Sequence, residues 1–474
     1  MLAFVKRFFR RLFGRNRHAG DVEVPAPVVH RPTFIEAGRL FAMQDKVRPG
    51  QEAFPRFRAS AADQPRGLAD SSEIATARFK LREVFTPSQP VTERGNFAGR
   101  TATLAQLINA IEEQRSHVVV YGERGIGKTS IMHVLADVAR EARYVVIYGS
   151  CGAHSRFDEL FRALAASIPL LYHSSVSPTA AEAEGGATLA DRLPAGSFGP
   201  REFSDLCAEI VGTRVLIILD EYDRIEDPDF RQNVAELIKN LSDRAARVQL
   251  VIAGVSANLH ELIGYISSIR RNVIGLPMPR MTLEEVRQLL NIGEQASGVR
   301  FDDQTIKTIG LLANGSPYLA RLLSYHSSTK ALQAGRMDVH LADISGAIEQ
   351  IVEEARGRIS ARTVNQVEAL IVGERRACLG AAARAAVSPD GWFTMADVLP
   401  YITEGLPVDR CQQILRELTL GDGLIEADID SKGERYRFRE EGLPNYLWML
   451  LAADQVSLPA VSPMNPDRRA AANS

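Results

Sequence analysis

Tyr121-Gly122-Glu123-Arg124-Gly125-Ile126-Gly127-Lys128-Thr129-Ser130 decides how the rest of this chain is read. The spacing from Gly122 to Thr129 is that of a loop that wraps phosphate. Glycines let consecutive backbone N–H groups curl around anionic oxygens, and the helix that follows turns its positive end toward them. The apolar run HVVVY at 117–121 reads as a buried strand feeding the loop, and Ser130 to Arg140 as the following helix. Lys128 is expected against the β and γ phosphates, with Thr129 presenting its hydroxyl to Mg2+. Gly122, Glu123, Arg124, Gly125, Ile126, Gly127 and Ser130 complete the expected nucleotide contacts. Arg124 is either a nucleotide or partner contact or a permissive loop position.

A second apolar run, RVLIILDE at 214–221, ends in two acids. Ligands gather at the carboxyl ends of strands in parallel sheets. Asp220 is therefore expected to hold Mg2+ through water, and Glu221 to orient and polarise the attacking water. Adjacent acids at a strand end can simply be solvated; the phosphate loop is what favours chemistry. Asp223 is expected to cap a helix or form an ion pair. Strand 250–254 leads to Ser256, the first candidate for a residue that feels the γ-phosphate. Asn258 is the second, and could equally cap the helix starting at Leu259. Arg270 or Arg271 could reach a neighbouring subunit's γ-phosphate and stabilise transition-state charge, and a surface ion pair explains either as well.

The 474 residues allow two or three domains, and 45% apolar with 24% charged residues is the balance of a globular protein. A formal charge of -2 makes no global case for nucleic acid. Cys151, Cys207, Cys378 and Cys411 form neither a CxxC pair nor a zinc set, which suits a reducing compartment. No stretch approaches the roughly 20 apolar residues that span a bilayer. Strands and helices alternate between about 104 and 263, so the fold class is α/β with a largely parallel sheet. Residues 282–350 read as mostly helical. Helices near 361–373, 376–388, 394–401 and 408–421, then strands at 424–429 and 435–439, suggest a winged-helix-like unit.

These motifs resemble the AAA+/STAND superfamily of P-loop ATPases, and within it the bacterial proteins related to origin-recognition and Cdc6-like ATPases. Phe97-Ala98-Gly99-Arg100 is similar to the family's segment beside the adenine pocket. Residues 121–130 match its phosphate loop, 216–225 its acid-tipped strand, and 253–263 its sensor region. Residues 266–285 are similar to the stretch carrying the arginine finger and the entry to the lid. Gly315-Ser316-Pro317 resembles the GxP signature of the STAND branch, which implies that Pro317 lies at the nucleotide. Tyr318 stands where a Cdc6-like lid carries arginine, and Arg321 lies one turn further on. The resemblance implies ATP and Mg2+ as cofactors, hydrolysis of ATP to ADP and phosphate, and homo-oligomers. Periodicity and composition give a basic amphipathic helix at 1–14 and a flexible linker at 15–93, and the resemblance implies an ATPase core at 94–281. A helical lid follows at 282–355, then the winged-helix-like domain at 356–452 and a disordered tail at 453–474.

MLAFVKRFFRRLF at 1–13 has an apolar arc opposite Lys6, Arg7, Arg10 and Arg11. Such a helix suits an anionic membrane, where each basic residue contributes about 1 kcal/mol. It could instead dock on this chain or a protein partner, serve as an organelle presequence, or bind nucleic acid through charge. The leading expectation is a cytoplasmic ATPase, peripheral on the inner face of the cell membrane. It would couple ATP binding and slow hydrolysis to oligomerisation or to switching of a protein partner. The candidate recognition helix at 408–420 has no dense basic stripe, so DNA is ranked as possible but not favoured. The alternative is a DNA-binding ATPase of replication, partition, transposition or regulation.

Overall fold

The computed structural model describes residues 73–456 apart from 88, 178–184, 257–258, 260–261, 263–268, 270, 387, 389–390, 403–404 and 431–432. All lie within one compact unit, Arg66–Ser474. Five parallel strands form the main sheet: β1 (His117–Gly122), β2 (Val145–Ser150), β3 (Val215–Asp220), β4 (Val248–Val255) and β5 (Val273–Pro277), in the order β2-β3-β4-β1-β5. Their near-continuous apolar composition follows from cover on both faces. Side chains alternate between faces along a strand. Val118, Val120, Leu216 and Ile218 meet α2 (Thr101–Glu112) and α3 (Lys128–Glu141) on one side. Val119, Ile147, Ile217 and Ile252 meet α4 (Phe157–Ala165), α5 (Pro200–Ala208) and α6 (Pro228–Asp243) on the other. The sequence pattern yields the first four strands; β5, an edge strand, was not foreseen.

The stretch 172–200, whose Ala, Gly, Ser and Pro content reads as a loop or poorly ordered insertion, is packed in its described part. Leu189, Leu193 and Phe198 are buried, and Phe198 meets Phe157 edge-on at 6.2 Å between ring centroids. α5, another element absent from the sequence reading, supplies Phe203 to the same aromatic cluster.

α1 (Glu73–Phe85) departs from the expectation of a linker over 15–93. Its buried Ala77, Leu81, Val84 and Phe85 recur at helical spacing and dock on the lid. The lid comprises α7 (Leu283–Ser297), α8 (Asp303–Ala313), α9 (Pro317–Gln333) and α10 (Leu341–Arg356), with a two-stranded parallel pair, β6 (Arg300–Phe301) and β7 (Asp338–Val339). A Cβ on Gly293 would come within 2.0 Å of Phe85 Cζ, so α7 leaves room for that ring by lacking a side chain there. Arg321 of α9 donates to the carbonyls of Val84 (2.7 Å) and Asn96 (3.0 Å) and ties α1 down. It thus holds backbone, and does not replace a lid arginine at the nucleotide.

The remaining chain forms α11 (Ala361–Leu370), α12 (Gly373–Ala385), α13 (Met395–Val398), α14 (Val408–Glu417) and α15 (Leu443–Val456) around a three-stranded antiparallel sheet. Its strands, β8 (Trp392–Thr394), β9 (Ile425–Asp430) and β10 (Gly433–Phe438), run in the order β8-β10-β9. β8 and α15 were not expected from the sequence. This region and the lid share one continuous apolar core, with Ile344 and Ile348 in the same cluster as Leu447 and Trp448. Trp448 Nε1 donates to the Leu312 carbonyl at 2.7 Å. The helix expected at 1–13, the short helix that the pattern around 34–45 suggests within the linker, most of the helix expected at 258–263, and the tail beyond 456 lie outside the described residues.

His117, at the start of β1, is buried and its Nδ1 accepts the Leu250 N–H at 2.9 Å. Burial lowers its pKa from 6.5 to about 4. The unfolded chain binds this proton near pH 6.5 and the fold only near 4, so the contribution to stability is full above 6.5 and lost as pH falls through that window. The expected loss is about 1.4 kcal/mol per pH unit. His117→Asn keeps an acceptor at the Nδ1 position and should remove that slope, measured by chemical denaturation between about pH 4 and 7.

Candidate functional site

The phosphate loop leaves β1 at its carboxyl end and enters α3 at Lys128. Gly127 has φ 92°, and a Cβ there would meet Arg100 Nη1 at 2.5 Å. Lys128 is 8% exposed, and its Nζ donates to the carbonyls of Gly122 (2.9 Å) and Glu123 (2.8 Å). Burial lowers its pKa from 10.5 to about 8, against the pull of Asp223, Asp220 and Glu123. Ile126 is buried, and Thr129 lies in the first turn of α3. The Ser130 hydroxyl accepts from the Val91 N–H at 3.0 Å, so it anchors the segment leading into the core.

Asp220 closes β3 and is 4% exposed. Its Oδ1 accepts from the Glu221 N–H (2.8 Å) and its Oδ2 from the Tyr148 hydroxyl (2.5 Å). Burial and the Asp220 charge push the Tyr148 phenol above its usual range, so it keeps its proton and is the donor. Glu221 adopts a left-handed backbone, φ 57°, a conformation costing a non-glycine residue about 1–2 kcal/mol. Its carboxylate accepts from Ser150 at 2.9 Å and pairs with Arg224 at 3.1 Å. Tyr148 and Ser150 are two residues apart on β2, so they share a face and each engages one acid. The sequence reading missed both, because only strand register brings them to β3.

Asp223 accepts from the Val255 N–H at 2.7 Å, binding backbone where a helix cap or an ion pair was expected. Val255 is the register partner of Gly122, so buried Ser256 follows beside the start of the loop. The donors Thr129 and Asp220 are hard oxygens of the kind Mg2+ takes. β4 separates β1 from β3, setting the two strand ends roughly 10 Å apart, room for an ion that keeps waters and binds phosphate. No group of three or more His, Cys, Asp and Glu side chains placed to hold a metal ion occurs among the described residues.

The lid reaches the loop directly. Arg280 pairs with Glu123 at 2.8 Å and donates to the Asn314 carbonyl, joining the loop to the Gly315-Ser316-Pro317 turn. Pro317 Cγ lies 3.9 Å from the Cβ position of Gly127, and Tyr318 Cβ 3.5 Å from that of Gly125. The Arg100 N–H donates to Glu285 at 2.7 Å, and burial lowers the guanidinium's pKa to about 10. Arg124 points to the C-terminal region and pairs with Glu441 at 2.7 Å. Cys151, beside Asp220, has its thiol pushed up to about 12 by burial, which leaves it inert.

The structure thus gathers the loop, Asp220, Glu221, Ser256 and Pro317 at one edge. Arg271 is exposed and precedes β5 at the opposite edge, where Val273 pairs with His117. That is roughly 17 Å from the loop along the strands, out of reach of its own chain's phosphates. Arg270 and Asn258 lie outside the described residues.

Residues 96–252 match the family described as the AAA ATPase domain. No curated protein sequence matches the chain. Among solved structures, the chain is similar to Cdc6p from Pyrobaculum aerophilum, at 17% identity and TM-score 0.43, over 79% of this chain and 98% of that one. It is similar to the Aeropyrum pernix ORC1 protein in complex with DNA, at 16% identity and TM-score 0.41, over 77% and 95%. A third is the Holliday junction branch migration motor RuvB of Thermotoga maritima, at 13% identity and TM-score 0.40, over 74% and 95%. The expected ranking of partners, an anionic membrane surface through 1–13 ahead of DNA, is corrected by these findings. Of the three, the ORC1 protein is described in complex with DNA and RuvB as a Holliday junction branch migration motor. The membrane reading rested on an apolar arc opposite Lys6, Arg7, Arg10 and Arg11, and residues 1–13 lie outside the described residues. Among the described residues no helix is long and apolar enough to cross a membrane.

Gly127→Ala should lower ATP affinity about tenfold or more, since a left-handed Cβ costs about 1–2 kcal/mol and crowds Arg100. Titration with a fluorescent ATP analogue, beside a thermal melt to register folding, checks it.

Proposed function

We propose that this chain, an ATP-hydrolysing P-loop ATPase whose residues 96–252 form an AAA ATPase domain, is a nucleotide-driven switch that acts with DNA. Lys128 and the loop N–H groups bind the β and γ phosphates of ATP. Thr129 and Asp220 hold Mg2+, which screens phosphate charge when bound. Glu221 turns from Ser150 and Arg224 to polarise the attacking water. Ser256, beside the loop, feels the γ-phosphate. Arg271, or Arg270, completes the site of a neighbouring subunit, so turnover requires a homo-oligomer.

The observation that carries the switch is the pair of links leaving the loop, Glu123–Arg280 to the lid and Arg124–Glu441 to the C-terminal region. Phosphates entering the loop bear on both. The Tyr318 contact with Gly125 fits the STAND-like form of such a switch, in which the lid turn covers the loop.

DNA would meet the C-terminal region, read as winged-helix-like, through α14 and the β9–β10 hairpin. Their arginines are paired with acids: Arg416 with Glu434, Arg435 with Asp428, Arg437 with Glu426 and Arg410 with Glu374. Exposed pairs are worth about 0–1 kcal/mol, so exchange of carboxylate for phosphate costs little. Binding is therefore expected to be salt-sensitive.

Turnover should rise when duplex DNA is added, and Arg416→Ala should weaken DNA binding and flatten its salt dependence by about one charge. Absence of both stimulation and salt-sensitive binding overturns the DNA partner. Glu221→Gln should cut hydrolysis by about 100-fold or more with ATP binding retained, read by phosphate release and nucleotide titration.

A further inference from the structure

The carboxylate of Asp220 is held by a phenol whose own position is set from the phosphate-loop helix. Tyr148 lies on β2, two residues before Ser150, the register partner of Asp220. Its hydroxyl donates to Asp220 Oδ2 at 2.5 Å, and its ring stacks on His133 with centroids 4.7 Å apart and planes 4° from parallel. His133 follows Thr129 by four residues on α3, so the two stand on the same face one turn apart.

A closed path therefore runs from Thr129 along α3 to His133, across the stack to Tyr148, and through the phenol to Asp220. Both ends of that path are the oxygens assigned to magnesium. The Glu221 N–H occupies the other carboxylate oxygen, so the two donors together fix the rotation of the carboxylate.

We propose that Tyr148, braced by His133, is a positioning residue that sets the Asp220 carboxylate for Mg2+ and so tunes how strongly nucleotide binding depends on that ion. The inference rests on the reading of Asp220 as the magnesium-side ligand. A carboxylate that lost the phenol would turn about its last bond and present its oxygens over a wider range of angles. Outer partners of this kind are worth about 10–100-fold in metal affinity. ATP held without Mg2+ depends on the loop N–H groups and on Lys128, whose ammonium is held by the Gly122 and Glu123 carbonyls.

The test uses the full chain and a fluorescent ATP analogue, titrated in EDTA and across Mg2+ concentrations. Tyr148→Phe should raise the Mg2+ concentration for half-maximal enhancement of binding about tenfold, with affinity in EDTA unchanged. His133→Ala, which keeps the phenol and removes its brace, should shift it in the same direction by less. Asp220→Asn separates the two readings. If it shifts the Mg2+ dependence and Tyr148→Phe does not, the positioning role is overturned and Asp220 stands. If Asp220→Asn also leaves Mg2+ dependence unchanged, the reading of Asp220 itself fails. Equal losses in EDTA and in Mg2+ for Tyr148→Phe would make the tyrosine a structural residue only.

Discussion

One buried ammonium organises the carboxyl edge of the sheet. Lys128 donates to two carbonyls of its own loop, and neutral dipoles alone offset poorly the cost of taking a cation out of water. Asp220, Asp223 and Glu123 supply the negative field. Each of those acids is fixed in turn: Asp223 by the Val255 N–H, Asp220 by Tyr148 and the Glu221 N–H, and Glu123 by Arg280 of the lid entry. The loop, the ends of β3 and β4 and the lid form one electrostatic unit. An incoming triphosphate enters a site already arranged around positive charge.

This unit was legible in the sequence wherever the signal is local. The phosphate loop needs a fixed run of glycines, a lysine and a hydroxyl, and an acid-tipped apolar strand is equally compact. Tyr148, Ser150 and Arg280 were invisible because their partners lie 72, 71 and 157 residues away, joined by register and lid packing that no local pattern encodes. α1 was overlooked for a different reason. Its apolar positions have helical spacing, yet Pro87 and Pro90 and the polar tract before it hide a short amphipathic helix that is stable only through docking. β8, three residues long, fails for want of length, β5 because Gly275 and Pro277 break its apolar run, and α15 because apolar residues nearly all round leave no periodicity to read.

The two connections leaving the phosphate loop differ in strength, and the difference sets what can move. Arg280–Glu123 is partly buried, at 31% and 20% side-chain exposure, and shares its guanidinium with the Asn314 carbonyl. Arg124–Glu441 is open to water at 70% and 72%, where such a pair is worth about 0–1 kcal/mol. The lid and the C-terminal region are joined far more firmly, by a common apolar core and by Trp448. Within the C-terminal region, Arg384 stacks on Tyr401 at 4.3 Å and on Trp448 at 4.8 Å, which braces the indole that reaches the lid.

A displacement of the lid therefore carries the C-terminal region with it, because parting them would expose a core whose large side chains each contribute about 1.5–3 kcal/mol by burial. The Arg124–Glu441 pair resists that displacement least. Under the switch proposed above, nucleotide charge would compete with Glu441 for the Arg124 guanidinium, so the weaker of the two links is also the one that leaves the phosphate loop for the C-terminal region.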